Sequence, residues 1–496
     1  MADNNTRSQV YRGLSSQTLV VILMGVLEIG VFALMSRLLT PEDFGYYAII
    51  VAVIGVFQCI TEAGLGSAVI QRSDATKEFI STALGWSVIF GVVFSLLSII
   101  LARPLSELMG YGYELTTPLR WMSITILLFS VNSVARAMFM KTLDFMKFGW
   151  CQVLAYVLSS GLGIALAIAG YGVKSIVASA IANAVLMTII LFAERGSLPS
   201  IRIHSCYNKD ILSYGGWLTG SVIVRRITTE LDKFILTRWI PVAQIGAYNR
   251  PSGFISSIVD RVNGIYDTVL FPILSSFGND GDKLRGSFLT AASLVSWASM
   301  IVMAGFVLSA RIVIDIFFGA EWEWLVVIFR VLSLSILFLA YSRIGDCYFR
   351  SLGWVKAYFY IRLAVCFITS MCVYVGCKYG ITGVAIGVLV SRFMDSVIKL
   401  LYLSFKLSVR FWDLVKAVLI PTWVTMLMTV GCYMMTRYIS YGEYTAVLLF
   451  AGLGLVLLSA LPRAFGKEYY ENVYLVVKSK IERRHSTKQN SCNKND

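Results

Sequence analysis

Residues 212 to 237 contain the run YGGWLTGSVIVRRITTELDKFIL, an apolar stretch interrupted by charges of both signs. Arg226, Glu230 and Lys233 fall at i, i+4 and i+7, which places them on one helical face with alternating sign. Two readings stay open for that face: a self-neutralised stripe, or the charged wall of a water-filled cavity. Arg225 and Arg226 project about 100° apart on a helix, so both border a cavity only if it is broad. Otherwise Arg226 pairs with Glu230 and Arg225 remains for other work. Asp232 stands two turns beyond Arg225 and orients it only through an intermediate such as Arg250 on the next helix. Arg250 precedes Pro251 and Gly253, where a kink is expected. Guanidinium groups replace the hydration of a phosphate with charge-assisted, often bidentate hydrogen bonds. Arg225, Arg226, Asp232 and Arg250 are therefore the candidate site for an anionic headgroup such as a diphosphate.

Other acids in apolar surroundings divide into two kinds. Asp346 follows Arg343 by three residues, and Asp395 follows Arg392 by three, spacings that permit local neutralisation. Glu28 and Glu62 have no basic residue one turn away, which makes them candidates for coupling to a proton or sodium gradient; the competing reading is a paired or neutral carboxyl. Metal and catalytic chemistry find no support. The nine Cys include no CxxC, the two His (His204 and His485) form no HExxH, and a Walker phosphate loop is absent. No cofactor is expected, and any transport is not driven by ATP hydrolysis in this chain.

The elements that must hold these residues are membrane spans. Of 496 residues, 57% are apolar and 15% charged, with a mean hydropathy of +0.72, against about 25% charged in an ordinary soluble domain. That excludes a water-soluble enzyme. Fourteen spans of roughly 20 residues are expected. They fall near 16–38, 45–70, 80–102, 119–140, 150–169, 174–193 and 212–237, then 245–272, 287–309, 325–348, 356–377, 382–404, 414–436 and 443–462. A polar N-terminus leads into a full-length first span, so no cleavable signal peptide is expected. Lys and Arg gather in the loops after even-numbered spans, among them Lys141, Lys147, Arg195, Arg202, Lys209, Lys406 and Arg410. The opposite loops hold only Arg103, Lys174, Arg311, Lys378 and Arg437 and are richer in acids. The positive-inside rule then puts both termini in the cytoplasm. The net charge of +14 suits nucleic acid, anionic lipid or an anionic substrate. Its placement, in cytoplasmic loops and inside the spans, selects membrane lipids and an anionic substrate over nucleic acid.

The chain also repeats itself. An offset of 201 superposes RLLTPEDFGYY (37–47) on RWIPVAQIGAY (238–248), matching Arg37 with Arg238, Gly45 with Gly246 and Tyr47 with Tyr248. Six spans, an even number, separate equivalent positions, so the halves point the same way across the membrane. The expected organisation is an all-α integral membrane protein with a six-helix lobe over 1–210, a second over 211–405, two additional helices over 406–462 and a basic cytoplasmic tail over 463–496. The substrate path would run between the lobes.

The runs RLLTPEDFGYYAII (37–50) and TEAGLGSAVIQRSD (61–74) resemble the N-terminal signature of bacterial polysaccharide transporters, the Wzx-type flippases. ARAMFMKTLDFMKFG (135–149) is similar to that family's fourth loop, and LDKFILTRWIPVAQIGAYNRP (231–251) to its seventh-to-eighth span junction. The resemblance is strong to residue 275 and weak beyond 405. It implies membership of the superfamily of multidrug exporters and lipid II flippases, with two six-helix bundles around a central cavity in the bacterial inner membrane. It also implies translocation of undecaprenyl-diphosphate-linked oligosaccharide by alternating access, beside a polysaccharide polymerase and assembly proteins; of the candidate site residues it carries over only Asp232. Three other readings compete. A cation-coupled multidrug exporter fits poorly with spans in which basic residues outnumber acids. A membrane polymerase or glycosyltransferase lacks the expected large external loop, and a noncatalytic scaffold needs no intramembrane charges.

Overall fold

The computed structural model describes residues 23–62, 76–142, 144–195, 202–204, 216–277, 280–317 and 322–438, with isolated positions at 20, 69, 319, 447, 449, 450 and 452–454. Among these the chain is helical throughout, and no strand occurs. It is an all-α integral membrane protein. The helices are α1 (23–38), α2 (Pro41–Glu62), α3 (Lys77–Leu108), α4 (Gly112–Met122), α5 (Ile124–Thr142), α6 (Phe145–Ile168) and α7 (Val173–Arg195). They continue as α8 (Gly216–Trp239), α9 (Val242–Phe277), α10 (Gly281–Phe317), α11 (Leu325–Leu334), α12 (Ile336–Ser351), α13 (Val355–Cys377), α14 (Gly380–Lys406) and α15 (Phe411–Tyr438). Each of the first thirteen expected spans has its helix. The fourteenth lies largely outside the described residues, as do the tail over 463–496 and His485.

Nine helical stretches among the described residues, with α4–α5 and α11–α12 counted as one each, are long and apolar enough to cross a membrane. α1, α14 and the heavily charged α8 and α9 fall outside that set. Backbone groups in hydrocarbon must find partners inside the protein, which is why the chain crosses as helix. Two expected spans are nevertheless broken. The fourth divides at Ser123 into α4 and α5, and the tenth divides at Ser335 into α11 and α12, one break in each repeat. Serine hydroxyls add to the backbone bonds at the first break: Ser123 Oγ donates to Leu119 O at 2.8 Å, and Ser95 Oγ on α3 donates to Ser123 O at 2.8 Å. At the second, Ser335 Oγ donates to Leu332 O at 2.6 Å and accepts from Arg392 Nη1 at 2.6 Å.

The chain gathers into two compact units. One comprises Met1–Arg250, Ile314–Leu325 and Arg362–Val384; the other comprises Pro251–Val313, Val326–Ile361 and Ala385–Asp496. The first is packed through small residues. In α3 the buried positions include Ser81, Gly85, Ser87, Gly91, Ser95, Ser98 and Ala102, while Val92, Val93, Leu96 and Ile100 are exposed. This inverts the soluble pattern, since lipid solvates large apolar side chains and small residues let helix backbones approach. The second unit is built on aromatic rings. Phe349 packs against Tyr358 and Tyr402 with ring centroids 5.8 and 5.2 Å apart, and Phe288 meets Tyr348 edge-on.

Candidate functional site

The charged face of α8 forms as its spacing requires. Glu230, with 4% of its side chain exposed, pairs with Arg226 at 3.1 Å and with Lys233 one turn on. One buried carboxylate thus holds two cations. Arg226 lies against α2 at Gly55, where an added Cβ would collide with the guanidinium. That glycine gives the arginine its place. Arg225 is half-buried on the same helix. Because the Arg226 side chain is 35% exposed, Arg226→Ala is expected to cost less than about 1 kcal/mol. Glu230→Gln removes the charge of a carboxylate that is 4% exposed and pairs with both cations, and is expected to cost about 3 kcal/mol. Thermal unfolding of the two variants checks this; equal losses mean that Glu230 does not hold the stripe together.

Asp232 is buried and engaged by the next helix: Tyr248 Oη donates to Asp232 Oδ2 at 2.9 Å, and the Lys233 backbone N–H donates to Oδ1 at 2.8 Å. Tyr248, two residues before Arg250, therefore orients this acid. Tyr248 is the repeat partner of Tyr47, and that match was its signal in the sequence.

Arg250 occupies a different setting again. Its side chain is 2% exposed, with the guanidinium carbon 3.6 Å from the Phe44 ring centroid and 4.5 Å from that of Trp322. Asp43 acts on it electrostatically. Asp43 is itself fixed by the start of α2, where Thr40 and Asp43 form a capping box around Pro41. The Thr40 N–H and hydroxyl donate to Asp43 Oδ2 at 3.0 and 2.8 Å, and Asp43 N–H donates to Thr40 Oγ1 at 3.3 Å. Three segments distant in sequence meet at this arginine: the first turn of α2, the first turns of α9, and the turn before α11.

The same junction contains the repeat. A Cβ at Gly45 would collide with the Val242 carbonyl, and a Cβ at Gly246 with the Pro41 carbonyl. Pro41 and Val242 are related by the same 201-residue offset as Gly45 and Gly246, so the contact is reciprocal, as in a two-fold interface. Backbone touches backbone because neither repeat carries a side chain there.

Glu28 is half-buried on α1. Glu62 closes α2, and its side chain lies outside the described residues. Asp346 and Asp395 are both buried and both paired with Lys399, at 2.8 Å each. The i, i+4 spacing of Asp395 and Lys399 was the legible signal for half of that cluster.

The family described as polysaccharide biosynthesis protein matches residues 34–327. The chain is similar to the teichuronic acid biosynthesis protein TuaB of Bacillus subtilis, 25% identical over 66% of this chain and 68% of that one. It is also similar to the lipopolysaccharide biosynthesis protein WzxC of Escherichia coli, 20% identical over 64% of each chain. The matched stretch therefore spans about two thirds of these curated relatives. In fold it is similar to the lipid II flippase MurJ in an inward closed conformation, with a TM-score of 0.70 and 15% identity over 90% of this chain and 98% of that one.

Proposed function

We propose, from the premise that this chain belongs to the polysaccharide biosynthesis protein family, that it is a flippase and not an enzyme. It is a multi-pass bacterial membrane protein, and its substrate is a lipid-linked oligosaccharide carried on undecaprenyl diphosphate. The direction is from the cytoplasmic to the periplasmic leaflet, with both termini cytoplasmic, as the loop charges suggest. The observation that carries this reading is where the family match falls. It runs through the segment holding Gly45, Arg226, Asp232, Gly246 and Arg250, so the charged stripe and the repeat contact belong to the matched part.

The physical case for an anionic cargo is the chemistry of the spans. A diphosphate entering the membrane sheds water and needs fixed positive groups, which these spans supply in excess over acids. Arg225 and Arg226 on α8 are the groups proposed to meet it. Coupling to a proton or sodium gradient through Glu28 or Glu62 remains part of the proposal.

Purified protein in liposomes tests the reading with a fluorescent undecaprenyl-diphosphate oligosaccharide, whose appearance in the outer leaflet is followed by quenching. Protein-dependent equilibration is expected, with loss in Arg225→Ala. Transport of a cationic dye without movement of the lipid-linked sugar would instead establish an exporter of cations. Reporter fusions at Lys147 and Gly112 test the topology, with a cytoplasmic signal expected from the first and a periplasmic signal from the second.

A further inference from the structure

The second unit contains a charge cluster that the proposed transport path does not use. Lys399 on α14 is 0% exposed. Its Nζ donates to Ser342 Oγ at 2.7 Å and to Asp395 Oδ2 at 3.0 Å, and lies 2.8 Å from Asp346 Oδ1 and 2.8 Å from Asp395 Oδ1 as an ion pair. Ser342 Oγ in turn donates to Asp395 Oδ2 at 2.5 Å. The arrangement is two turns facing two turns: Ser342 and Asp346 stand one turn apart on α12, Asp395 and Lys399 one turn apart on α14. Gly345 completes it. A Cβ there would lie 3.1 Å from Lys399 Cβ and Cδ, so the absent side chain is what lets the lysine stem lie flat against α12.

Four oxygens, from two carboxylates and one hydroxyl, lie within 3.0 Å of the buried Lys399 ammonium. That is how a protein holds a bound monovalent cation, and here the cation is attached to the chain. We propose that Ser342, Asp346 and Asp395 form a monovalent-cation site whose permanent occupant is the Lys399 ammonium. This second unit is therefore loaded with its cation by covalent attachment and takes none from solution. A tether gives the ammonium an effective concentration that free ions do not match. The oxygen set is too small for calcium, which takes six to eight ligands. Among the described residues, no group of three or more His, Cys, Asp or Glu suited to a metal exists here or elsewhere. Ammonium and potassium ions are close in size, so the cage that fits Lys399 Nζ also fits potassium, ammonium or methylammonium once the lysine is shortened.

Lys399→Ala removes the ammonium that both carboxylates meet, a loss that binding of a free cation offsets. In the full-length protein in detergent, the Tm of Lys399→Ala is expected to rise by about 5 °C or more in potassium or methylammonium chloride relative to choline chloride of equal ionic strength. Wild type is expected to show no such difference. The double variant Asp395→Asn, Lys399→Met removes the cage's charge and is expected to lose the ion response. Equal response of Lys399→Ala to choline, no response to any cation, or retention of the response in the double variant each overturns the proposal. If Lys399→Ala yields no folded protein, wild type decides alone: a potassium-specific rise in its Tm shows an exchangeable ion and overturns the tethered occupant. These readouts are stabilities, so they stand or fall separately from the flippase reading.

Discussion

Arg250→Ala is expected to lower the stability of the protein by about 3 to 5 kcal/mol, a loss visible as a fall in Tm and as reduced protein in the membrane. Two effects add. A desolvated guanidinium over an aromatic face contributes about 2 kcal/mol or more, and here two rings take part, Phe44 at 3.6 Å and Trp322 at 4.5 Å. Removing a side chain that is 2% exposed also leaves a cavity between those rings, in a junction already closed by backbone contact. Arg250→Lys keeps the charge but not the plane that stacks, so it is expected to recover less than half of the loss. The measurement separates two roles. A residue that serves only to bind an anionic headgroup loses transport on substitution while Tm stays near wild type. A residue that fastens α2, α9 and the turn before α11 loses both together, and this is the expected result.

Gly246→Leu is expected to be the most damaging single substitution in the first unit. Its Cβ has nowhere to go: it meets the Pro41 carbonyl and the backbone of Gly45, groups that no rotamer change can move. The two helix starts must separate, which exposes Phe44 and Arg250 together, and a loss exceeding about 4 kcal/mol is expected. Even Gly246→Ala should reduce folded yield sharply. The matched control is Gly253→Ala, seven residues along the same helix, where an added Cβ meets nothing within 4 Å. That change is expected to be neutral or to stabilise by up to about 1 kcal/mol, since alanine is the better helix former. Similar effects from the two alanine variants would show that the repeats do not meet at Gly45 and Gly246.

Much was legible along the chain because the membrane imposes simple rules on a single strand of sequence. Hydrocarbon requires long apolar helices, so each of the first thirteen expected spans coincides with a helix, and charged α8 and α9 are the ones that hydropathy marks least. The reach of a helical turn fixes i, i+3 and i+4 neighbours, so the Arg226–Glu230–Lys233 stripe follows from spacing, whereas spacing offered Asp395 to Arg392 and the structure pairs it with Lys399. The repeat was visible in Gly45 and Gly246 as matched residues. What spacing could not supply was which helices touch and at what rotation. A helix that is apolar all round, as lipid allows, has no polar face to mark its inner side, and small residues mark it only weakly. That Asp346 reaches Lys399 on α14, and that Arg250 stacks on the rings of Phe44 and Trp322, depends on contacts between segments tens to hundreds of residues apart. Those contacts are set by the side chains missing at Gly55, Gly246 and Gly345, where the Arg226 guanidinium, the Pro41 carbonyl and the Lys399 stem take the space. Only the packed tertiary structure brings those positions together, because steric fit between helices is a property of pairs of surfaces and not of either sequence alone.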